Sequence, residues 1–146
     1  ALVTPTGFGN PRRMTNGIDV NRVLLLIAVL EKRARMNLSN SDIYVNVAGG
    51  LRIDETAVDL GICAAVATSQ ADIPLPPDMI FIGEVGLGGE LRGVSQLEKR
   101  INEAAKLGFK SAIVPKQSLR GVKIPDGFAA YGIKTISEMI NMLRRK

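Results

Sequence analysis

At 146 residues, with 46% hydrophobic and 23% charged residues, the chain is long enough to bury one core, and its composition excludes a disordered segment. One cysteine and no histidine exclude a structural disulfide, argue against a zinc site and remove every catalytic device built on imidazole. The formal charge of +5 favours acidic partners, nucleic acid first.

The longest apolar run, Val23 to Leu30, has eight residues, against the roughly 20 needed to span a bilayer. With no secretory signal pattern and a lone cysteine, the expectation is a reduced, cytoplasmic protein without a membrane partner. The chain begins with Ala and its first segment reads as a strand, as expected of a piece of something longer.

In chain order, Ala1 to Thr6 reads as a strand and Gly7 to Gly17 as a loop carrying Arg12 and Arg13. Asp19 is placed to cap a helix running to about Met36, because a short side-chain oxygen there accepts from the first free backbone N–H groups. Its apolar run alone could be a strand, but the polar residues on either side extend it to helical length. Asp42 to Ala48 alternates as a strand.

Gly49 to Ala67, GGLRIDETAVDLGICAAVA, is the stretch on which the rest is organised. A strand turns through two glycines into a helix of small residues, with Asp54 and Glu55 where that helix is expected to begin and Asp72 near its end. Acidic residues at the start complement the positive end of the helix dipole. Small side chains at Ala57, Gly61, Ala64, Ala65 and Thr68 let its backbone press closely on a sheet. Cys63, inside this helix, reads as a small buried hydrophobe.

Pro74 to Pro77 blocks regular structure. Met79 to Val85 reads as a strand, Gly86 to Gly89 as a turn and Glu90 to Val94 as a returning strand. Ser95 and Glu98 have capping-box spacing, as do Thr135 and Glu138. Gly108 stands where a helix stop is expected. Ala112 to Pro115 and Phe128 to Ile133 read as further strands. Strands alternating with helices, apart from one hairpin, predict an α/β fold, two-layered with a mixed sheet, over the whole of residues 1–146.

The glycines at 83, 86, 88 and 89 are tempting as a phosphate-cradling loop. Their spacing matches neither dinucleotide nor P-loop patterns, and they lead into a hairpin strand, so a turn is the expectation. With no P-loop, the chain should not hydrolyse ATP by itself. Thr56 and Ser95, with Lys99 as base, are the nucleophile candidates near the organising turn, since without histidine only lysine could serve. Ser95 is better explained as a cap.

The arginines divide by what else explains them. Lys32, Arg33, Arg35, Arg144, Arg145 and Lys146 lie at helix ends that favour cations. Arg22 and Arg52 sit near helix starts, the wrong end for a cation. Arg13 lies in a glycine-flanked loop and Arg92 beside the hairpin turn. The planar guanidinium suits phosphate. Arg13, Arg22, Arg52 and Arg92 are therefore the expected contacts to nucleic-acid phosphate, with pairing of Arg22 or Arg52 to acids such as Asp19 or Asp54 as the alternative. With aromatics at 4%, contact would be to the backbone and not sequence-specific.

Gly49 to Ala67 and Ile82 to Lys116, IGEVGLGGELRGVSQLEKRINEAAKLGFKSAIVPK, resemble the proteolytic domain of Lon proteases. That resemblance implies a Lon proteolytic-domain-like (ribosomal protein S5 domain 2-like) fold. Laid on the family's Ser-Lys motifs, the nucleophile position holds Ala57 and the lysine position Glu98, which implies a scaffold without the peptidase. A degenerate peptidase using Thr56 or Ser95 with Lys99 is the rival expectation.

The segments ALVTPTGFGNPRRMTNGID, NRVLLLIAVLEKRARM, DIYVNVAGGLRIDETAVDL, GEVGLGGELR and EAAKLGFKSAIVPK together resemble the C-terminal Lon-like domain of the RadA (Sms) family of bacterial DNA repair proteins. The resemblance implies a domain supporting a hexameric ring and contacting DNA, within an ATP-driven branch-migration motor that works with the RecA recombinase. It places ATP, magnesium and zinc in other domains of that motor and no cofactor here.

Overall fold

The computed structural model describes residues 1–50 and 54–145. Three strands, β1 (Leu2–Pro5), β2 (Arg13–Asn16) and β3 (Ser41–Asn46), form one sheet in the order β1-β3-β2, antiparallel on one side of β3 and parallel on the other. β4 (Met79–Phe81), β7 (Ser111–Pro115) and β8 (Ala129–Ile133) form a wholly parallel sheet in the order β4-β7-β8. Between them in sequence, β5 (Glu84–Val85) and β6 (Leu91–Arg92) close a hairpin. The helices among the described residues are α1 (Val20–Arg33), α2 (Asp59–Ala71), α3 (Leu97–Lys106) and α4 (Ile136–Arg144). The α/β expectation holds.

The core has two compartments. α1, α2 and α4 bury Leu26, Leu30, Leu60, Cys63, Ala64, Ile136 and Met139 against Ile43 and Ile113. α3 buries Leu97 and Ile101 with Ala112 and Val114. β7 feeds both because successive strand side chains point to opposite faces, Ile113 to one and Ala112 and Val114 to the other. At α2 the small residues do what their size permits. A side chain added at Gly61 would stand in ordinary contact with Phe81, 3.8 Å away, and Cys63 and Ala64 are fully buried. Burial pushes the Cys63 thiol up, away from its reactive thiolate.

Helix ends follow local chemistry where it is strong. The Asp19 carboxylate accepts from the Asn21 N–H (3.1 Å), and Thr135 Oγ1 accepts from the Glu138 N–H (3.3 Å). Asp72, left-handed at φ 54°, ends α2, and Gly108, at φ 97°, follows α3. α1 stops at Arg33, before the expected Met36, because Arg35 turns left-handed and the Met36 N–H returns to the Leu30 carbonyl at 3.2 Å.

Elsewhere tertiary contacts override the local pattern. The expected 7–17 loop contains β2, whose RMTN sequence carries no apolar alternation and which exists through its parallel ladder to β3. The expected strand 79–85 breaks after Phe81. There the Gly83 N–H turns to the Ala57 carbonyl (2.9 Å) and the Gly83 carbonyl receives the Leu60 N–H (3.0 Å). The Ser95–Glu98 capping box does not form. α3 begins after Gln96, left-handed at φ 56°. The Ser95 carbonyl accepts from Arg100 Nε (2.9 Å), and Glu98 Oε1 accepts from the Lys123 N–H (2.8 Å). α2 begins at Asp59, not at Asp54 or Glu55, after a single 3₁₀ turn over Thr56–Val58.

Candidate nucleic-acid interface

Parallel strands bring their carboxyl ends to one side of a sheet, where open α/β proteins place their ligands. β7 ends at Pro115 and runs straight into a 3₁₀ turn, Lys116–Leu119, followed by Arg120. β8 ends at Ile133, followed by Lys134. The β6 hairpin arm supplies Glu90, Leu91 and Arg92. These segments enclose a cleft of about 940 Å³ lined by Glu90, Leu91, Arg92, Lys116, Gln117, Leu119, Arg120 and Lys134. Arg92, Lys116, Arg120 and Lys134 are exposed cations, and Glu90 is the one carboxylate among the lining residues.

The walls are fixed by backbone. The Leu91 N–H donates to the Lys134 carbonyl at 2.8 Å, and the Val94 N–H donates to Ser118 Oγ at 3.1 Å, joining the hairpin to both strand ends. Gly132 is required where the 3₁₀ turn lies on β8, since a side chain there would come within 2.9 Å of Leu119 and 3.0 Å of the Lys116 backbone. Glu90 Oε1 accepts from the Gly88 N–H (2.9 Å), and Glu90 Oε2 lies 3.6 Å from Arg92 Nε. The N–H groups of Glu90 itself and of Gly88, followed by Arg92, hold this carboxyl below its usual range.

Of the four arginines expected at DNA, Arg92 is in this cleft, with its side chain 60% exposed. The Arg13 guanidinium donates instead to the carbonyls of Leu38 (3.0 Å), Ser41 and Arg12 (3.4 Å), closing the connection into β3. Arg22 is committed to Asp59, a carboxylate with no solvent exposure, through Nε (2.9 Å) and Nη2. That hydrogen bond raises the Arg22 pKa further above its ordinary value. Arg22 therefore follows the alternative expectation, pairing with an acid, and that acid is Asp59. Arg52 lies outside the described residues, as does Lys146.

The organising turn is occupied by structural contacts. Ala57 is 7% exposed and packs with Leu97 and Ile101. Glu55 pairs with Arg100, which lowers the Glu55 pKa. Glu98 staples the segment after the 3₁₀ turn through Lys123. Lys99 lines a separate shallow hollow with Gln96 and Glu103.

Lys116, Arg120 and Lys134 are cleft cations that the sequence does not single out. In the chain they are single cations in two polar turns, Lys116 and Arg120 in one and Lys134 in the other. The available signal is that Lys116 directly follows one strand and Lys134 another. Once the strands are known to be parallel, their ends meet.

Comparison with known proteins places the chain in a family. The family model described as "Subunit ChlI of Mg-chelatase" matches residues 21–118. The chain belongs to that family. The match runs from Arg22 through Asp59, Arg92 and Lys116, so it contains the buried ion pair and half of the cations of the cleft. Among curated proteins the chain is 51% identical over 142 residues to the DNA repair protein RadA of Halalkalibacterium halodurans, covering 97% of this chain and 31% of that protein. It is 53% identical over 140 residues to RadA of Bacillus subtilis, covering 96% and 31%, and 51% identical to RadA of Streptococcus pneumoniae, covering 96% and 33%. The chain thus spans about a third of the length of these relatives. Among the described residues no helix is long and apolar enough to cross a membrane, and no group of three or more Asp, Glu or Cys side chains is placed to hold a metal ion.

Proposed function

We propose that this chain is the Lon-like domain of a RadA-type DNA repair protein, and that it binds the DNA backbone while serving as a scaffold for a hexameric ring. The observation that carries the DNA half is the convergence of Arg92, Lys116, Arg120 and Lys134 on one cleft. Exposed cations set against a single carboxylate attract phosphate without reading sequence. Around 50% identity to RadA proteins over nearly the whole chain supports the repair context. In this reading the domain is not a peptidase. Ala57 is core and the Glu98 carboxylate is engaged by Lys123, which leaves both former dyad positions to structural work. ATP hydrolysis, zinc binding, branch migration and the meeting with RecA belong to the rest of the protein.

The test is duplex-DNA affinity against salt. Each phosphate neutralised contributes about −0.9 to the slope of log affinity against log salt, so four cations give a slope of roughly −3 to −4. Absence of binding at low salt would remove the DNA reading.

A further inference from the structure

The glycine turn beside the cleft is shaped around an anion. Gly86, Leu87, Gly88 and Gly89 join β5 to β6, and the turn closes through the Gly86 N–H to the Glu90 carbonyl and the Gly89 N–H to the Gly86 carbonyl, both at 2.9 Å. What the turn then surrounds is the Glu90 carboxylate. Its Oε1 accepts from the Gly88 N–H at 2.9 Å. A side chain added at Gly86 would fall 2.1 Å from Glu90 Oε2, and one at Gly88 would fall 3.1 Å from Oε1. The backbone comes this close to the carboxylate because both positions are glycine. Backbone N–H groups turned into a concavity bind anions; here those of Gly88 and of Glu90 itself face one carboxylate, while those of Gly86 and Gly89 close the turn. Here the anion is the protein's own side chain. That side chain is also 49% exposed and lines the cationic cleft, with Arg92 3.6 Å from its second oxygen.

We propose that the Gly86–Gly89 turn is a phosphate seat at the edge of the cleft, filled by Glu90 as a built-in anion mimic until a phosphate of the bound nucleic acid displaces it. The proposal rests on the DNA reading of the cleft and adds its regulation. Arg92 and the Gly88 N–H exchange one anion for another, so the turn keeps its partners in both states. Glu90 swings into solvent at low cost because it is already half exposed. The seat thereby resists weak anions and yields to phosphates that the neighbouring cations also hold.

The experiment follows the Gly88 and Glu90 backbone amides by NMR while pyrophosphate, and separately a short DNA duplex, is added to the wild-type chain and to Glu90→Gln. Glu84→Gln serves as control, because Glu84 faces Arg92 across the hairpin and carries the same charge from a position outside the turn. The expected result is that both amides shift on titration and that Glu90→Gln binds about fivefold tighter, with Glu84→Gln gaining less than about twofold. Equal gains in the two variants would reduce Glu90 to a general charge effect and overturn the proposal. So would Gly88 and Glu90 amides that stay fixed while the Lys116 and Lys134 amides move, an outcome that leaves DNA binding by the cleft intact. Far-ultraviolet circular dichroism of each variant confirms that the fold is kept.

Discussion

Asp59→Ala is expected to destabilise the protein by about 3 kcal/mol or more, the range seen when one partner of a buried ion pair is removed. Asp59 has no solvent exposure and opens α2. Its carboxylate accepts from Arg22 Nε (2.9 Å), from Arg22 Nη2 and from the Val85 N–H (3.0 Å), which ties α1 and the β5 hairpin to the start of α2. Alanine would leave the guanidinium, whose side chain is 28% exposed, partly buried without its counterion and the Val85 N–H without an acceptor. The unsatisfied N–H alone costs about 1–3 kcal/mol. For a domain of this size the fall in melting temperature is on the order of 10 °C. Thermal and urea unfolding would measure it. The paired change Arg22→Met with Asp59→Leu should recover part of the stability, because apolar residues replace both charges at once while the Val85 N–H still lacks an acceptor. An equally large destabilisation in the double variant would show that the lost acceptor for the Val85 N–H or the packing, not the uncompensated charge, is the cause.

The double variant Lys116→Ala, Arg120→Ala is expected to lower duplex-DNA affinity about 30-fold, at about 1 kcal/mol for each exposed cation–phosphate pair. It should also flatten the salt slope by about 2, one for each phosphate that is no longer neutralised. Both side chains are exposed, and their removal disturbs little else. Arg92→Ala should behave in the same direction. Arg13→Ala and Arg22→Ala, in protein confirmed as folded, should change affinity less than about twofold, since their guanidinium groups already serve backbone carbonyls and Asp59. A reversed ranking would move the interface from the strand ends to the face around α1.

The legible parts of this fold are those in which local chemistry and tertiary structure agree. Asp19 and Thr135 cap helices in the structure as their spacing predicts, and the small residues of α2 mark a helix pressed onto a sheet. The misreadings fall where a distant partner decides. β2 is a strand because β3 lies beside it, not because RMTN alternates. Ser95 sits at capping spacing, but the left-handed Gln96 moves the helix start and Glu98 is drawn to Lys123. Arg22 stands out in the sequence as a cation at the wrong end of a helix. Its partner stands 37 residues away, where spacing on one helix cannot point. The cleft is legible in one residue, Arg92. Its other cations, Lys116, Arg120 and Lys134, come together only through the parallel pairing of β7 with β8 and the hairpin laid across their ends.

The central claim is that DNA lies against the cleft at the carboxyl ends of β7 and β8. Backbone-amide NMR of the chain titrated with a short duplex tests it most directly. The predicted result is that shifts cluster on residues 86–92, on 116–120 and on Lys134, with the amides of α1 before Arg33 and of α4 after Ile136 unmoved. Shifts confined to α1, or spread evenly over the exposed lysines and arginines, would contradict it.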